Sequence, residues 1–378
     1  MRNKTILIDN YVPDKQESMK RFASMLKEGF EEAGLKVDVW KPIVIFGYLA
    51  KSTVSGYGKW LGYIDKWVLY PILLLIKTSV SGNQVYHVCD HSNAPYLKFL
   101  PKKRTSITCH DVLAIRGALG HKDAYCDASA AGKVLQNWIL KNLLKASKIA
   151  AVSLLTYDQL KELNNGVAKP QWQVIHNGFN AGFKPLAREA WAATLVKNNY
   201  EKLTTTKYIF HVGSGLPRKN RQMLLEMVAK LDTKWDGLIC FAGQPMDHDL
   251  LALCSKLKLN DRVVEVVNPN HELLEALLNG AEAFVFPSFS EGFGWPVIEA
   301  QACKTPVLAS NLRPMPEVGG AAAIYADPYD PADFARGFLE LKQPEVRLGL
   351  ETSGLENIKR FETRIMMAAY LKLIETNN

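Results

Sequence analysis

The sequence predicts an α/β protein built from two parallel sheets in tandem, each covered by helices, giving two Rossmann-like domains that face a cleft. Three observations carry this reading. The chain has 378 residues, and at roughly 100–200 residues per domain that length suits two domains. Short apolar runs alternate with stretches of helical spacing, the pattern of parallel sheets with helices on both faces. The apolar runs of the first half are followed by polar or Gly/Asn-containing turns, as buried strands are where they leave a sheet.

Residues 5–8 form the first apolar run. Residues 18–34 follow with helical spacing at Met19, Phe22, Met25, Leu26 and Phe30, and residues 36–40 alternate like a strand. Residues 85–88, 105–108 and 149–152 are further buried-strand candidates. Val174 and Ile175 run into His176-Asn177-Gly178, a turn signal. The stretch 180–206 is more polar and reads as irregular, with Asn180 at the start of a linker. A second series then supplies strands at 208–212, 238–242, 263–267, 283–286 and 306–309. Its helices fall at 220–230, 249–258, 272–279 and 296–303, the last with Pro296 in its first turn, where a missing N–H is tolerated. Residues 361–374 close the chain as a helix. The expected division is a first domain over 1–178 and a second over 179–361.

Hydrophobic residues make up 48% and charged residues 22%, globular values that exclude a disordered or fibrous chain. Residues 1–178 carry 24 Lys+Arg against 14 Asp+Glu, and residues 179–378 carry 22 against 24. The excess of +10 in the first half suits an anionic partner: a lipid surface, a phosphorylated substrate or nucleic acid, if it is more than scattered solvated lysines. The six cysteines show no CxxC spacing, which argues against a zinc ribbon and fits a reducing, cytoplasmic setting. The start MRNKTILIDN runs directly into a strand, so no signal peptide is expected. The longest apolar run, 67–76, has ten residues, and spanning a bilayer takes ~20.

In open parallel sheets ligands gather at the carboxyl ends of the strands, so the residues after each strand are where chemistry is sought. The strongest segment is Ser290-Glu291-Gly292-Phe293-Gly294-Trp295-Pro296-Val297-Ile298-Glu299. Its glycines let a ligand approach the backbone, and the open N–H groups at the helix start suit a diphosphate. Carboxylates at Glu291 and Glu299 repel phosphate, so hydroxyls of a sugar and a ribose are their natural partners; a helix cap with a surface glutamate is the plainer alternative. The second segment is His211-Val212-Gly213-Ser214-Gly215-Leu216-Pro217-Arg218-Lys219: strand, Gly-rich loop, two cations. Arg offers a rigid fork and Lys a point charge, and together they neutralise a diphosphate, unless they are only a solvated helix start. No Walker string is present. The third is Thr108-Cys109-His110-Asp111, and upstream lies Tyr86-His87-Val88-Cys89-Asp90-His91-Ser92-Asn93.

These segments resemble the retaining GT-B glycosyltransferases, in particular glycosyltransferase family 4. EGFG before a proline, with the second glutamate eight positions on, is similar to that family's nucleotide-sugar motif. The resemblance implies that Glu291 meets the transferred sugar, that the amides of Phe293 and Gly294 assist, and that Glu299 holds the ribose. It implies that Arg218 and Lys219 clamp the diphosphate, within a donor site of Gly213, Ser214, Val267, Asn268, Gly292, Trp295 and Val297. His110 matches the family's active-site histidine near the donor sugar. Asn10, Asp90, His91 and Asp111 fall on the acceptor side. Ala151-Val152-Ser153 and Val174 to Gly178 resemble weaker family segments, with His176 in place of a usual proline. One departure is clear: the family's glycine-rich loop after the first strand reads Asp9-Asn10-Tyr11-Val12-Pro13-Asp14-Lys15-Gln16 here, without glycine, and Asn10 is the residue best able to substitute. The last helix is expected to cross back to the first domain, adding 362–378 to it.

The implied reaction is retaining transfer of a hexose from a nucleoside diphosphate sugar, UDP-glucose or GDP-mannose by family base rate, to a carbohydrate or lipid-linked acceptor. No cofactor and no metal are expected; the one DxD string, Asp247-His248-Asp249, reads as a helix cap. Lysines and aromatics interleave over 51–77, which suits peripheral contact with an anionic membrane, although 67–76 reads equally as a buried helix. The alternatives are a sugar-nucleotide epimerase or hydrolase on the same fold, a pyridoxal phosphate enzyme of phosphorylase type, and a basic nucleic-acid-binding protein. The last lacks interleaved basic and aromatic RNA motifs, so no nucleic acid is expected.

Overall fold

The computed structural model describes residues 4–53, 56–80, 82–179 and 182–375. Residues 1–3 ahead of the first strand, and Asn180 as the start of a linker, lie outside the described residues. The chain divides into two compact units. One takes in the residues up to 121, 127–178 and those from 363 on, and the other Lys122–Cys126 and Phe179–Glu362.

The first unit holds a six-stranded, wholly parallel sheet: β1 (Thr5–Ile8), β2 (Val37–Trp40), β3 (Val85–Val88), β4 (Thr105–Cys109), β5 (Lys148–Ala151) and β6 (Gln171–Val174). Their order across the sheet is β2-β1-β3-β4-β5-β6. Four of these strands are buried at every position, as strands of a doubly covered parallel sheet are. The helix Glu17–Glu32 buries Phe22, Met25, Leu26 and Phe30. The final helix Thr363–Glu375 packs against it, and its buried Tyr370 brings its hydroxyl within 2.8 Å of Thr108 Oγ1. The last helix thus returns to the first unit, as expected.

The second unit repeats the plan with β7 (Tyr208–Gly213), β8 (Leu238–Gly243), β9 (Val263–Val267), β10 (Ala283–Phe286), β11 (Val307–Ser310) and β12 (Ile324–Ala326). Their order is β12-β11-β10-β7-β8-β9, again all parallel. Both sheets change direction once, at β1/β3 and at β7/β10. In such sheets the crevice between strands that lead away in opposite directions is where ligands settle.

Two stretches differ from the sequence reading. The part read as irregular, 180–206, contains the helix Arg188–Lys197, which buries only Leu195 and so shows no apolar stripe. The run 67–76 is not a buried helix. It spans a π turn, Asp65–Leu69, and much of the helix Tyr70–Ser79, which buries Tyr70, Pro71 and Leu74 but leaves Ile72, Leu75 and Ile76 exposed.

Candidate active site

In the second unit β7 and β10 are hydrogen-bonded neighbours, pairing Ala283 with Ile209 and Phe284 with Phe210. The loops that follow them therefore meet, although they are some seventy residues apart in sequence. Arg218 Nη1 donates to Glu291 Oε2 at 2.7 Å and to the Ser290 carbonyl at 3.0 Å, and Lys219 Nζ donates to Glu291 Oε1 at 2.5 Å. The Phe289 N–H donates to the Arg218 carbonyl at 2.8 Å, tying the two loops together. Side-chain exposures are 9% for Glu291, 21% for Arg218 and 12% for Lys219. Burial alone would raise the Glu291 carboxyl; the Lys219 and Arg218 charges outweigh it and hold the group below the ordinary glutamate range. The two expected diphosphate ligands and the expected sugar ligand thus form one charge-assisted cluster.

The donor segments surround this cluster. Gly294 opens the helix Trp295–Ala302 at φ 105°, a left-handed angle that strains any side chain. Glu299 and Val297 are buried within that helix, Phe293 is buried against Phe361, and Trp295 is partly exposed. Gly213 ends β7 and Ser214 follows it, both half-buried. At the end of β9, Val267 is exposed and Asn268 adopts a left-handed φ of 47°, its N–H donating to the Gly243 carbonyl at 2.9 Å. Asp247 caps the helix His248–Lys256 through a 2.9 Å bond from the Leu250 N–H, as its string suggested.

Two residues beside this cluster received no role from the sequence. His211, wholly buried, donates from Nδ1 to the Val285 carbonyl at 3.0 Å, and Nε2 has no hydrogen-bond partner among the described residues. Burial pushes its imidazole down to about 3, so it is neutral. Arg221, also buried, lies with its guanidinium 4.8 Å from the Phe241 ring and donates to the Pro245 carbonyl. His211 lies inside β7 and Arg221 beyond the expected cation pair, and only the folded sheet shows both turned inward.

In the first unit the loops after β1, β3 and β4 form a second polar cluster. Asn10 Nδ2 donates to Asp90 Oδ2 at 2.7 Å, and Asn93 Nδ2 donates to Asn10 Oδ1 at 2.6 Å. Asp90 also accepts from the Ser92 N–H and hydroxyl, and lies 3.2 Å from His91 Nδ1. Burial opposes charge on both Asp90 and His91, yet their mutual attraction lowers the carboxyl and raises the imidazole. His110 donates from Nε2 to the Cys89 carbonyl at 2.9 Å, which leaves Nδ1 as the acceptor nitrogen. Burial keeps this imidazole below its ordinary value. Asp111 accepts from the Leu113 N–H at 3.0 Å, just ahead of the helix Leu113–Ala118. The unusual backbone angle after β1 falls on Lys15, at φ 51°, not on Asn10, whose side chain holds the loop. Beside Asn10 a cavity of about 480 Å³ is lined by Asp9, Lys15, Lys41 and Tyr48, with Lys41 Nζ 2.9 Å from Asp9 Oδ2. Among the described residues no group of three His, Cys, Asp or Glu is placed to hold a metal.

Residues 194–350 match the family model described as glycosyl transferases group 1. Over 280 residues the chain is 25% identical to the O-antigen chain mannosyltransferase RfbU of Salmonella typhimurium, covering 73% of this chain and 70% of that one. Relatives 28–31% identical are matched over 160 to 211 residues, less than half of their own length. Among solved structures, sucrose-phosphate synthase from Thermosynechococcus elongatus superposes with a TM-score of 0.74 at 18% identity, covering 98% of each chain. Anabaena HepE in complex with UDP and glucose superposes with a TM-score of 0.72 at 14% identity, over 99% of this chain and 100% of that one. The fold is GT-B, and the residues that match the glycosyl transferases group 1 model lie in the second unit.

Proposed function

We propose that this GT-B protein, with its glycosyl transferases group 1 domain, is a retaining glycosyltransferase of family 4. It moves a hexose from a nucleoside diphosphate sugar, UDP-glucose or GDP-mannose, to a hydroxyl of a carbohydrate or lipid-linked acceptor. The reading rests above all on the pairing of Arg218 and Lys219 with Glu291 at the β7/β10 switch point. Two preorganised cations there suit a leaving diphosphate. A carboxylate between them suits sugar hydroxyls, and it keeps both cations fixed where charge develops.

In the reaction the bond from the anomeric carbon to the β-phosphate oxygen breaks, and the acceptor oxygen bonds to the same carbon from the same face. The acceptor proton passes to the departing phosphate. Arg218 and Lys219 receive the charge of the diphosphate, and Glu291 with the Phe293 and Gly294 amides orients the sugar, a contribution of positioning. Glu299 serves the ribose. The neutral His110, with Nδ1 free to accept, suits a hydroxyl rather than a phosphate. Asn10, Asp90 and His91 serve the acceptor side. The cations take the part a metal plays elsewhere, so transfer continues in EDTA; cofactor and nucleic acid have no place in the scheme.

Melting temperatures measured across a panel of UDP- and GDP-sugars test this reading, because a ligand bound only by the native state raises stability by mass action. The sugar that raises the melting temperature is then supplied with acceptors, and the anomeric configuration of the product is read. No response to any nucleotide sugar, or an inverted product, overturns the proposal. Release of free or isomerised sugar without an acceptor marks a hydrolase or epimerase instead.

A further inference from the structure

At the amino ends of β4 and β5, the opposite end of the sheet from His110 and Asp90, a cavity of about 280 Å³ opens among Lys98, Lys102, Lys145, Thr105, Asn142 and Ser147. β4 begins at the cavity with Thr105 and ends at Cys109 beside His110; four steps of strand put roughly 13 Å between them. No acidic side chain lines the cavity, and its three lysines have no acidic partner among the described residues. The sequence around it explains why. Residues 96–109 hold four cations and residues 128–157 another four, and neither stretch contains Asp or Glu. Lys169 adds to the crowding: it donates to the Leu144 and Ala146 carbonyls, and burial together with the nearby Lys102 charge lowers its ammonium.

Like charges gathered without a counter-charge repel one another and raise the local potential; the three lysines are exposed, so water and salt screen part of that cost and a bound anion relieves more of it. A carboxylate would balance one ammonium. A phosphomonoester carries about −1.5 to −2 and three strong acceptor oxygens, and so can engage three ammonium groups at once. We propose that this cavity is a phosphate site separate from the reacting groups, taking a phosphomonoester that is either free in solution or the headgroup of a lipid. The inference does not depend on the glycosyl-transfer reading.

The test compares the parent with Lys98→Gln/Lys102→Gln/Lys145→Gln. A control, Lys27→Gln/Lys36→Gln/Lys161→Gln, removes the same charge elsewhere on the unit. Melting temperature is followed in inorganic phosphate at constant ionic strength. Co-sedimentation is followed with phosphatidylcholine vesicles carrying either phosphatidic acid, a monoester, or phosphatidylglycerol, a diester, at matched surface charge. A phosphate-induced rise in melting temperature that persists in the control and vanishes in the cavity variant supports the site with a free ligand. A preference for phosphatidic acid supports it with a lipid headgroup, if it falls on the order of a hundredfold in the cavity variant alone, roughly fivefold per lysine. Equal behaviour of the cavity variant and the control with both probes, or no response of the parent to either, overturns the proposal.

Discussion

Lys219 Nζ stands 2.5 Å from Glu291 Oε1, and Arg218 takes the second oxygen of the same carboxylate at 2.7 Å. Anything that binds the two cations therefore alters the glutamate, and the reverse holds as well. A nucleotide sugar would engage both halves of one network.

Glu291→Gln keeps the shape of the side chain and removes its charge. It should lower the transfer rate by on the order of 10²–10³, the scale of losing a preorganised electrostatic group. Because two partly buried cations lose their counter-charge, unfolding free energy should also fall by about 1–3 kcal/mol. Far-ultraviolet circular dichroism should be unchanged, since the carboxylate is not part of the apolar core. A fully active variant would remove Glu291 from the reaction.

Replacing Arg218 and Lys219 together by alanine should cost at least ~3 kcal/mol of transition-state stabilisation. It should also leave Glu291 as a buried carboxylate without partners, the costly half of a broken buried pair. Adding Glu291→Gln to that double variant should recover stability without recovering turnover, a non-additivity expected of residues in one network. The parent enzyme should work equally in EDTA. A double variant within tenfold of the parent rate, or a triple variant less stable than the double, contradicts the clamp.

Much of this architecture was legible in the sequence because buried parallel strands are continuous apolar runs with turns after them. β7, β8 and β10 read cleanly for that reason. β12 was missed: it has three residues and only Ala326 is buried. Arg188–Lys197 was missed because one buried leucine makes no stripe. The residue types at Arg218, Lys219 and Glu291 were visible, but their pairing was not. It follows from β10 lying beside β7, a long-range choice of strand order that local pattern does not encode. Asp111 follows His110 directly in sequence, and only the fold shows that its carboxylate also accepts from the Leu113 N–H.

Acid should destabilise the protein through His87 and His211. Both are wholly buried, and burial holds each imidazole down at about 3, against 6.5 for an ordinary histidine. Between those values the unfolded chain binds a proton that the native protein does not. Their neutral burial therefore costs nothing above the ordinary value, and stability is lost as pH falls from 6.5 towards 3, by about 1.4 kcal/mol per pH unit for each histidine. Urea midpoints at pH 7, 6 and 5 measure this slope. His211→Phe, which fills the same space without a titrating group, should flatten it by about one proton; an unchanged slope would show that His211 takes up its proton in the native state.

The first unit should bind anionic membranes peripherally. Among the described residues no helix is long and apolar enough to cross a bilayer. The helices Gly56–Ile64 and Tyr70–Ser79 nevertheless expose Tyr57, Trp60, Ile72, Leu75 and Ile76, with Lys59 among them and Lys77 beside them. Trp60 also borders an apolar cavity of about 640 Å³ with Val134 and Trp138. Large exposed apolar residues gathered on one face mark an interaction surface, and each lysine near an anionic headgroup layer is worth ~1 kcal/mol. Flotation with liposomes rich in phosphatidylglycerol should carry the protein upward at low salt and less at high salt. Trp60→Ser with Ile72→Ser and Ile76→Ser should abolish flotation at both salts while leaving the melting temperature nearly unchanged, because these side chains are exposed. Loss of flotation with salt but not with these substitutions would assign the contact to the lysines alone, and no flotation under either condition would leave the acceptor soluble.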